Sequence, residues 1–189
     1  MQTFLNVLSL FNWVDIFVLL VFIRLACISL KTGLSTELFK FLGTFASLYL
    51  SLHYYMPLAS LLCRNVATKN GPPAIFTVTC FILLALSGYL LFFMIRLFFS
   101  KLVKAEVVPN LSKWGAFIVS FARAALLSSL VLCALLVSAS PYFTKIVQSS
   151  YSGARVARIA PATYTWFWNT VMSKFMAKES LNKSILEIK

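Results

Sequence analysis

Hydrophobic positions along this chain come in runs rather than in the alternating faces of soluble helices. The runs cover about Val14 to Leu30, Phe41 to Leu62, Ala74 to Phe99 and Trp114 to Ala139. Each offers roughly 17–26 residues, and a helix needs about 20 to cross a bilayer core. The pattern predicts an all-α membrane protein with four transmembrane helices in residues 1–140. The connectors are short, so successive helices should run antiparallel. "CRNVATKNGPP" carries Asn-Gly and Pro-Pro and reads as a turn. "KLVKAEVVPNLSKW" is broken by Pro109 and Asn110, with Ser112 placed to cap the next helix, and Pro141 ends the fourth run.

Residues 141–189 form a different kind of segment, a basic amphipathic tail. Tyr164, Phe167, Trp168, Val171, Met172 and Phe175 recur at steps of three and four, which is one face of a helix. Thr165, Asn169, Thr170, Ser173, Lys174 and Lys178 fall largely opposite. Trp and Phe on one face with Lys on the other suit the plane of the membrane interface, and this interfacial helix is the expectation here. The alternative is docking onto the bundle. Beyond Ala177 the chain is expected to be mobile.

Composition agrees with a membrane protein: 60% of the 189 residues are hydrophobic. Seventeen Lys and Arg against five Asp and Glu give a net charge of +12. No soluble basic domain carries that charge, so nucleic acid is an unsuitable partner and anionic lipid a suitable one. Lys31, Lys40, Arg96, Lys101, Lys104 and Lys113 flank the first and third connectors. Arg64, Lys69, Lys145, Arg155 and Arg158 lie on the opposite side. The excess places the first and third connectors in the cytoplasm and both termini in the periplasm. Cys27, Cys80 and Cys133 lie in apolar runs and Cys63 in a connector. They form no C-x-x-C pair and read as small hydrophobes rather than a metal or redox site. The first run lacks a basic flank and a small-x-small cleavage site, so it reads as a retained helix. No cofactor motif appears.

Isolated charges in apolar runs need a reason. Asp15 and Arg24 are about 13 Å apart along a helix and on nearly opposite faces, so they cannot pair with each other. Asp15, beside Trp13, can cap the helix head, and Arg24 can snorkel to the far interface. Alternatively, either faces the bundle. Arg123 lies near mid-membrane, too deep for easy snorkelling, and calls for an internal partner. Ala116, Ser120 and Ala124 recur beside it every four residues, a small-residue stripe that lets another helix approach. Asp15 and Glu37 are the acidic candidates near the runs, and Glu37 is the better placed to meet Arg123. The single histidine, His53, stands beside Tyr54 and Tyr55 and reads as a packed or interfacial residue. A proton relay there would need a carboxylate partner.

Together these residues resemble the colicin V production (CvpA) family of four-span bacterial inner-membrane proteins. Trp13-Val14-Asp15 matches the Trp-x-Asp that opens the family's first helix. "KTGLSTE" supplies a basic residue, Gly33 and Glu37, with one residue inserted before the glycine. His53-Tyr54-Tyr55 matches the end of the second helix in some members. Ala116, Ser120, Arg123 and Ala124 keep the spacing of a glycine stripe with its arginine, with small residues in place of glycine. The connector "VVPNLSKW" departs from the family's Gly-Leu-Ser and Asp-Arg. The Asp is lost and Lys113 replaces Arg, so no role of that carboxylate carries over. The likeness extends from Trp13 to about Ala139 and omits the tail. It implies a role in colicin V production or export, a form of toxin biosynthesis, and more broadly in envelope maintenance. Some relatives carry a periplasmic protease domain after the fourth span, which agrees with a periplasmic C-terminus.

Three functional classes compete. An accessory membrane protein, binding a membrane-protein partner or a second copy, fits a sequence without a nucleophile–base pair, metal cluster or phosphate loop. A small oligomeric transporter or channel would use Arg24, His53 and Arg123 along a path. An enzyme has the least support.

Overall fold

A computed structural model describes residues 12–63, 74–102, 109–176 and 181–182. The described residues are all-helical, in the order α1 (Trp13–Ser29), α2 (Leu34–Leu62), α3 (Ala74–Leu102), α4 (Pro109–Val137), α5 (Pro141–Ser149), α6 (Gly153–Ala157) and α7 (Ile159–Phe167). A π-helical stretch, Trp168–Met172, and a last turn, α8 (Ser173–Phe175), continue α7. The turn expected in "CRNVATKNGPP" lies outside the described residues from Arg64 onward.

Helix α4 is the centre of the bundle, packing on α1, α2 and the three short helices α5 to α7, while α3 packs chiefly on α2. The α2–α3 contact depends on missing side chains. A Cβ on Gly88 would lie 2.8 Å from the Ser47 backbone, and one on Gly43 would lie 3.1 Å from Phe92. Small residues thus let two apolar helices close on each other. One core cluster is built on Leu48, Leu52, Tyr55, Phe81, Leu126 and Tyr164, and a second on Val14, Val18, Leu132 and Val147.

Helices α3 and α4 contain the stretches Ala74–Phe98 and Lys113–Val137, each long and apolar enough to cross a membrane. The expectation of four such helices is met by length and composition for these two. Helix α1 has only 17 residues, about 25 Å of helix. Helix α2 starts seven residues before its apolar run: Gly33, in extended conformation, precedes it, and its first turn carries Glu37. Hydropathy marks where a helix can touch lipid, whereas backbone hydrogen bonding continues through the polar turn. Likewise α4 starts at Pro109, a residue suited to a first helical position, so Ser112 falls inside the helix rather than at its cap. Pro57 sits inside α2, in its last two turns. Cys63, Cys80 and Cys133 are buried, but Cys27 is exposed, contrary to the reading of all four as buried hydrophobes.

The tail requires the largest correction. Its apolar face packs on protein: Tyr164 and Trp168 are buried, and Phe167 meets Phe45 and Tyr49 of α2 edge-on at 4.8 and 5.6 Å. Ser129 of α4 accepts from Ala160 N (2.7 Å) and donates to Ala157 O (3.2 Å), satisfying backbone groups at the break between α6 and α7. Trp166 and Phe175, the latter 81% exposed, face outward, as do Tyr142 and Tyr151 earlier in the tail. Mobility beyond Ala177 falls mostly outside the described residues, but Leu181 and Asn182 are docked. Leu181 packs on the first core cluster, and Asn182 Nδ2 donates to Leu52 O at 2.9 Å.

Candidate functional site

The polar groups that the sequence singles out gather at three places. At the head of α1, Asn12 and Asp15 form a reciprocal cap: Val14 N donates to Asn12 Oδ1 (2.9 Å), and Asn12 N donates to Asp15 Oδ2 (3.0 Å). Asp15 is only 4% exposed. Its Oδ1 accepts from Ser150 Oγ (2.8 Å), Ser152 N (2.7 Å) and Ser152 Oγ (2.5 Å). Asn12 Nδ2 donates to Ile146 O at 2.9 Å. The cap of the first helix is therefore also the clasp for the α5–α6 turn. Gly153 is needed there, because a Cβ would lie 2.8 Å from Ser150 Oγ and 2.9 Å from Val147 O.

At the opposite end, the first turn of α2 meets α4. Glu37 is fully buried and Arg123 is 6% exposed. Arg123 Nη1 donates to Glu37 Oε2 at 2.6 Å, while Glu37 Oε1 accepts from Thr32 Oγ1 (2.7 Å) and Lys40 Nζ (2.5 Å). One carboxylate therefore serves two cations. Arg123 Nε has no hydrogen-bond partner among the described residues. Leu34 lies against Gly115, so Glu37 enters the bundle about a turn from that contact, and the arginine extends along α4 to reach it. Gly33, the residue before α2, orients this turn: Glu37 N donates to Gly33 O at 3.2 Å. Ala116, Ser120 and Ala124 are all fully buried, and Ser120 Oγ donates to Leu25 O of α1 at 2.9 Å. The stripe and the ion pair are adjacent faces of one helix, the first closing on α1 and the second on α2.

The third place is the seam between α2 and the tail. His53 Nδ1 lies 2.7 Å from Tyr164 Oη, and its ring stacks with Tyr49 and Trp168 at 5.3 and 4.9 Å. Pro57 has no N–H to give the usual helical bond to His53 O, yet α2 continues through it, and Leu52 O, one residue before His53, receives Asn182 Nδ2. Arg24, by contrast, is exposed on α1 and has no polar partner among the described residues. Sequence reasoning missed Ser150, Ser152, Ser129 and Asn182. Serines in a tail carry no periodic signal, and their roles appear only when the tail folds back on the bundle.

In its polar chemistry, this arrangement gathers charge inside the bundle and holds helices in register. No cluster of three His, Cys, Asp or Glu side chains that could hold a metal occurs among the described residues. The fold and its interior define a class: an all-helical bundle with two bilayer-length apolar helices, locked by buried polar contacts. Within that class, the chain belongs to the colicin V production protein family, whose sequence model matches residues 14–177. The match extends through α5 to α8, so the docked tail is part of the family's shared region and the likeness does not stop near Ala139. Comparison with curated proteins and with solved structures returns no match.

Proposed function

We propose that the chain is a multi-pass protein of the bacterial inner membrane, with α1 to α4 all spanning it and both termini in the periplasm. Its role is that of an accessory protein in toxin production or export, or in envelope maintenance. It binds a membrane-protein partner or a second copy and catalyses no reaction. The family match over residues 14–177 carries this reading. Four spans are supported by α1, whose Ile16, Leu19, Leu20 and Ile23 form an exposed apolar stripe, and by the exposed Leu38 and Leu42 of α2. Such faces need lipid or protein against them. The accessory role is favoured over a transport path because Arg123 and His53, two residues a path would use, are engaged with Glu37 and Tyr164.

The test is a pair of fusions after Lys189. Alkaline phosphatase should be active and green fluorescent protein dark, and the reverse result overturns the orientation. Carbonate washing should leave the chain in the membrane fraction, and release overturns membrane integration. Substrate-selective flux through proteoliposomes, abolished by Arg123→Ala, would replace the accessory reading with a transporter.

A further inference from the structure

Where α3 stands apart from α4, the three long helices leave an open slot of about 230 Å³, several times the roughly 30 Å³ share of a water molecule. Phe81, Ala85 and Leu86 line it from α3, and Leu127, Val131 and Ala134 from α4. Thr44 and Ser47 of α2 also face it, but their hydroxyls bond back to Lys40 O (3.0 Å) and Gly43 O (2.8 Å) of their own helix. The slot is therefore apolar despite those two residues. Tyr89 closes one end and also walls a smaller cleft between α2 and α3. That cleft, only about 10 Å³ in volume, carries Lys40 and Arg96 among Phe39, Phe92 and Phe93. Ala85, Tyr89, Phe92 and Arg96 follow one another at helical spacing on one face of α3. Phe81 to Tyr89 spans about 12 Å of helix and Phe81 to Arg96 about 22 Å. One leaflet contributes about 15 Å to the hydrocarbon core.

Charge decides what fits. Lys40 and Arg123 share the one carboxylate of Glu37, and Arg96, half-buried, has no hydrogen bond or ion pair among the described residues. The other carboxylate among them, Asp15, is at the far end and is filled by Ser150 and Ser152. A cation beside hydrocarbon is costly without a counter-ion, and among the described residues no carboxylate stands free to serve Arg96. We infer that the slot is a site for an acyl chain of one anionic phospholipid, lying along Ala85 and Leu127, with the phosphodiester outside the narrow cleft, against Lys40 and Arg96 at its mouth. A free phosphate would leave the apolar slot unused. A zwitterionic lipid would fill the slot while adding no net charge at the cations. Both basic residues lie at the end assigned to the cytoplasm, where basic pockets between helices meet anionic headgroups. The inference rests on the proposal that the chain is embedded in a bilayer.

The experiment uses the full chain in detergent, titrated with dioleoylphosphatidylglycerol and with dioleoylphosphatidylcholine and followed by native mass spectrometry. Phosphatidylglycerol should bind more tightly. Arg96→Gln should weaken it about fivefold and leave phosphatidylcholine unchanged. Ala85→Phe, which fills the slot, should weaken both. The inference falls if the two lipids bind equally to the parent, if folded Arg96→Gln keeps its preference, or if Ala85→Phe changes nothing. It also falls if glycerol phosphate displaces the lipid at equal concentration, which would make the cleft a phosphate site. Carbonate extraction separates the two proposals. A carbonate-resistant chain with no lipid preference overturns the site alone, whereas an extractable chain overturns the membrane reading itself.

Discussion

Asp15 and Glu37 are the two carboxylates among the described residues, both are buried, and the bundle treats them in opposite ways. Asp15 is satisfied by neutral donors: two hydroxyls and the Ser152 amide from the α5–α6 region, and the Asn12 amide of its own cap. Glu37 is satisfied by Lys40 and Arg123, with Thr32 between chain segments. A carboxylate held by neutral donors leaves behind, when removed, only uncharged hydroxyls and amides, whose loss of a partner costs less than a stranded charge. Removing a carboxylate that holds a deep arginine strands a cation in the bundle. The difference assigns the Asp15 end to docking of the tail and the Glu37 end to the integrity of the helices themselves.

The most severe way to break this comparison is Glu37→Ala. Removing one member of a buried pair costs about 3–5 kcal/mol, and here Arg123 would be left with both Nε and Nη1 unpaired. Arg123→Ala should cost less, since Lys40 and Thr32 still hold Glu37. The double change Glu37→Leu with Arg123→Met should recover most of the loss, because replacing a buried pair with apolar groups is often neutral. Thermal unfolding of the purified variants measures all three. If the double variant is no more stable than Glu37→Ala alone, a stranded charge is not the source of the cost.

Asp15→Ala should cost about 1–3 kcal/mol, the range for leaving buried donors unsatisfied, and its effect should be local. Trypsin should cut earlier at Lys145 or Arg155 in the α5–α6 region, while the α2–α4 core stays protected. Cleavage there at the parental rate, or global unfolding equal to that of Glu37→Ala, would erase the distinction between the two ends.

How much of this could be read beforehand differs between the same two ends. With five acidic residues in 189, few partners were open to a mid-run arginine, and the stripe Ala116, Ser120, Ala124 indicated a close helix beside it. The cap at Asp15 was legible from its position after Asn12 and Trp13. Its clasp on Ser150 and Ser152 was not, because those partners are 135 and 137 residues away and lie in a segment without strong periodicity. The tail was misjudged for a related reason. An amphipathic pattern says that a face seeks burial, yet lipid and protein satisfy it equally. On α2 the tail finds the core cluster around Leu48 and Leu52 and, in His53, a hydrogen-bond partner for Tyr164 and a stacking surface for Trp168. Gly88 carried no signal either, since a lone glycine in an apolar helix says nothing of which backbone will approach it.

Tyr164→Phe sharpens the comparison at the seam between the two ends. It removes the contact with His53 Nδ1 and the acceptor of Asn182 N (3.3 Å) while keeping the ring. A net loss of about 0.5–1.5 kcal/mol is expected for each such bond. Leu181 and Asn182 should then exchange their amide hydrogens faster, and unchanged exchange would mean that packing alone holds the tail.

The smallest effect is expected at Arg24, and it tests the reasoning used for Arg123. Both are arginines inside apolar helices. Arg24 is exposed on α1, a few residues from its C-terminal end, with no polar partner among the described residues, whereas Arg123 is enclosed and bound to Glu37. A long side chain near a helix end can carry its charge to the interface while its stem stays on apolar surface. Truncating it strands nothing, because no group inside the bundle depends on it. Arg24→Ala should therefore stay within about 0.5 kcal/mol of the parent, the range for surface changes away from special features. The apolar stripe of Ile16, Leu19, Leu20 and Ile23 beside it should remain in place. If Arg24→Ala instead destabilises the purified chain as much as Arg123→Ala, burial is not what separates the two arginines. The exposed face of α1 would then have to meet a second protein surface through Arg24, and adding the purified chain at higher concentration should restore the lost stability if that surface belongs to another copy.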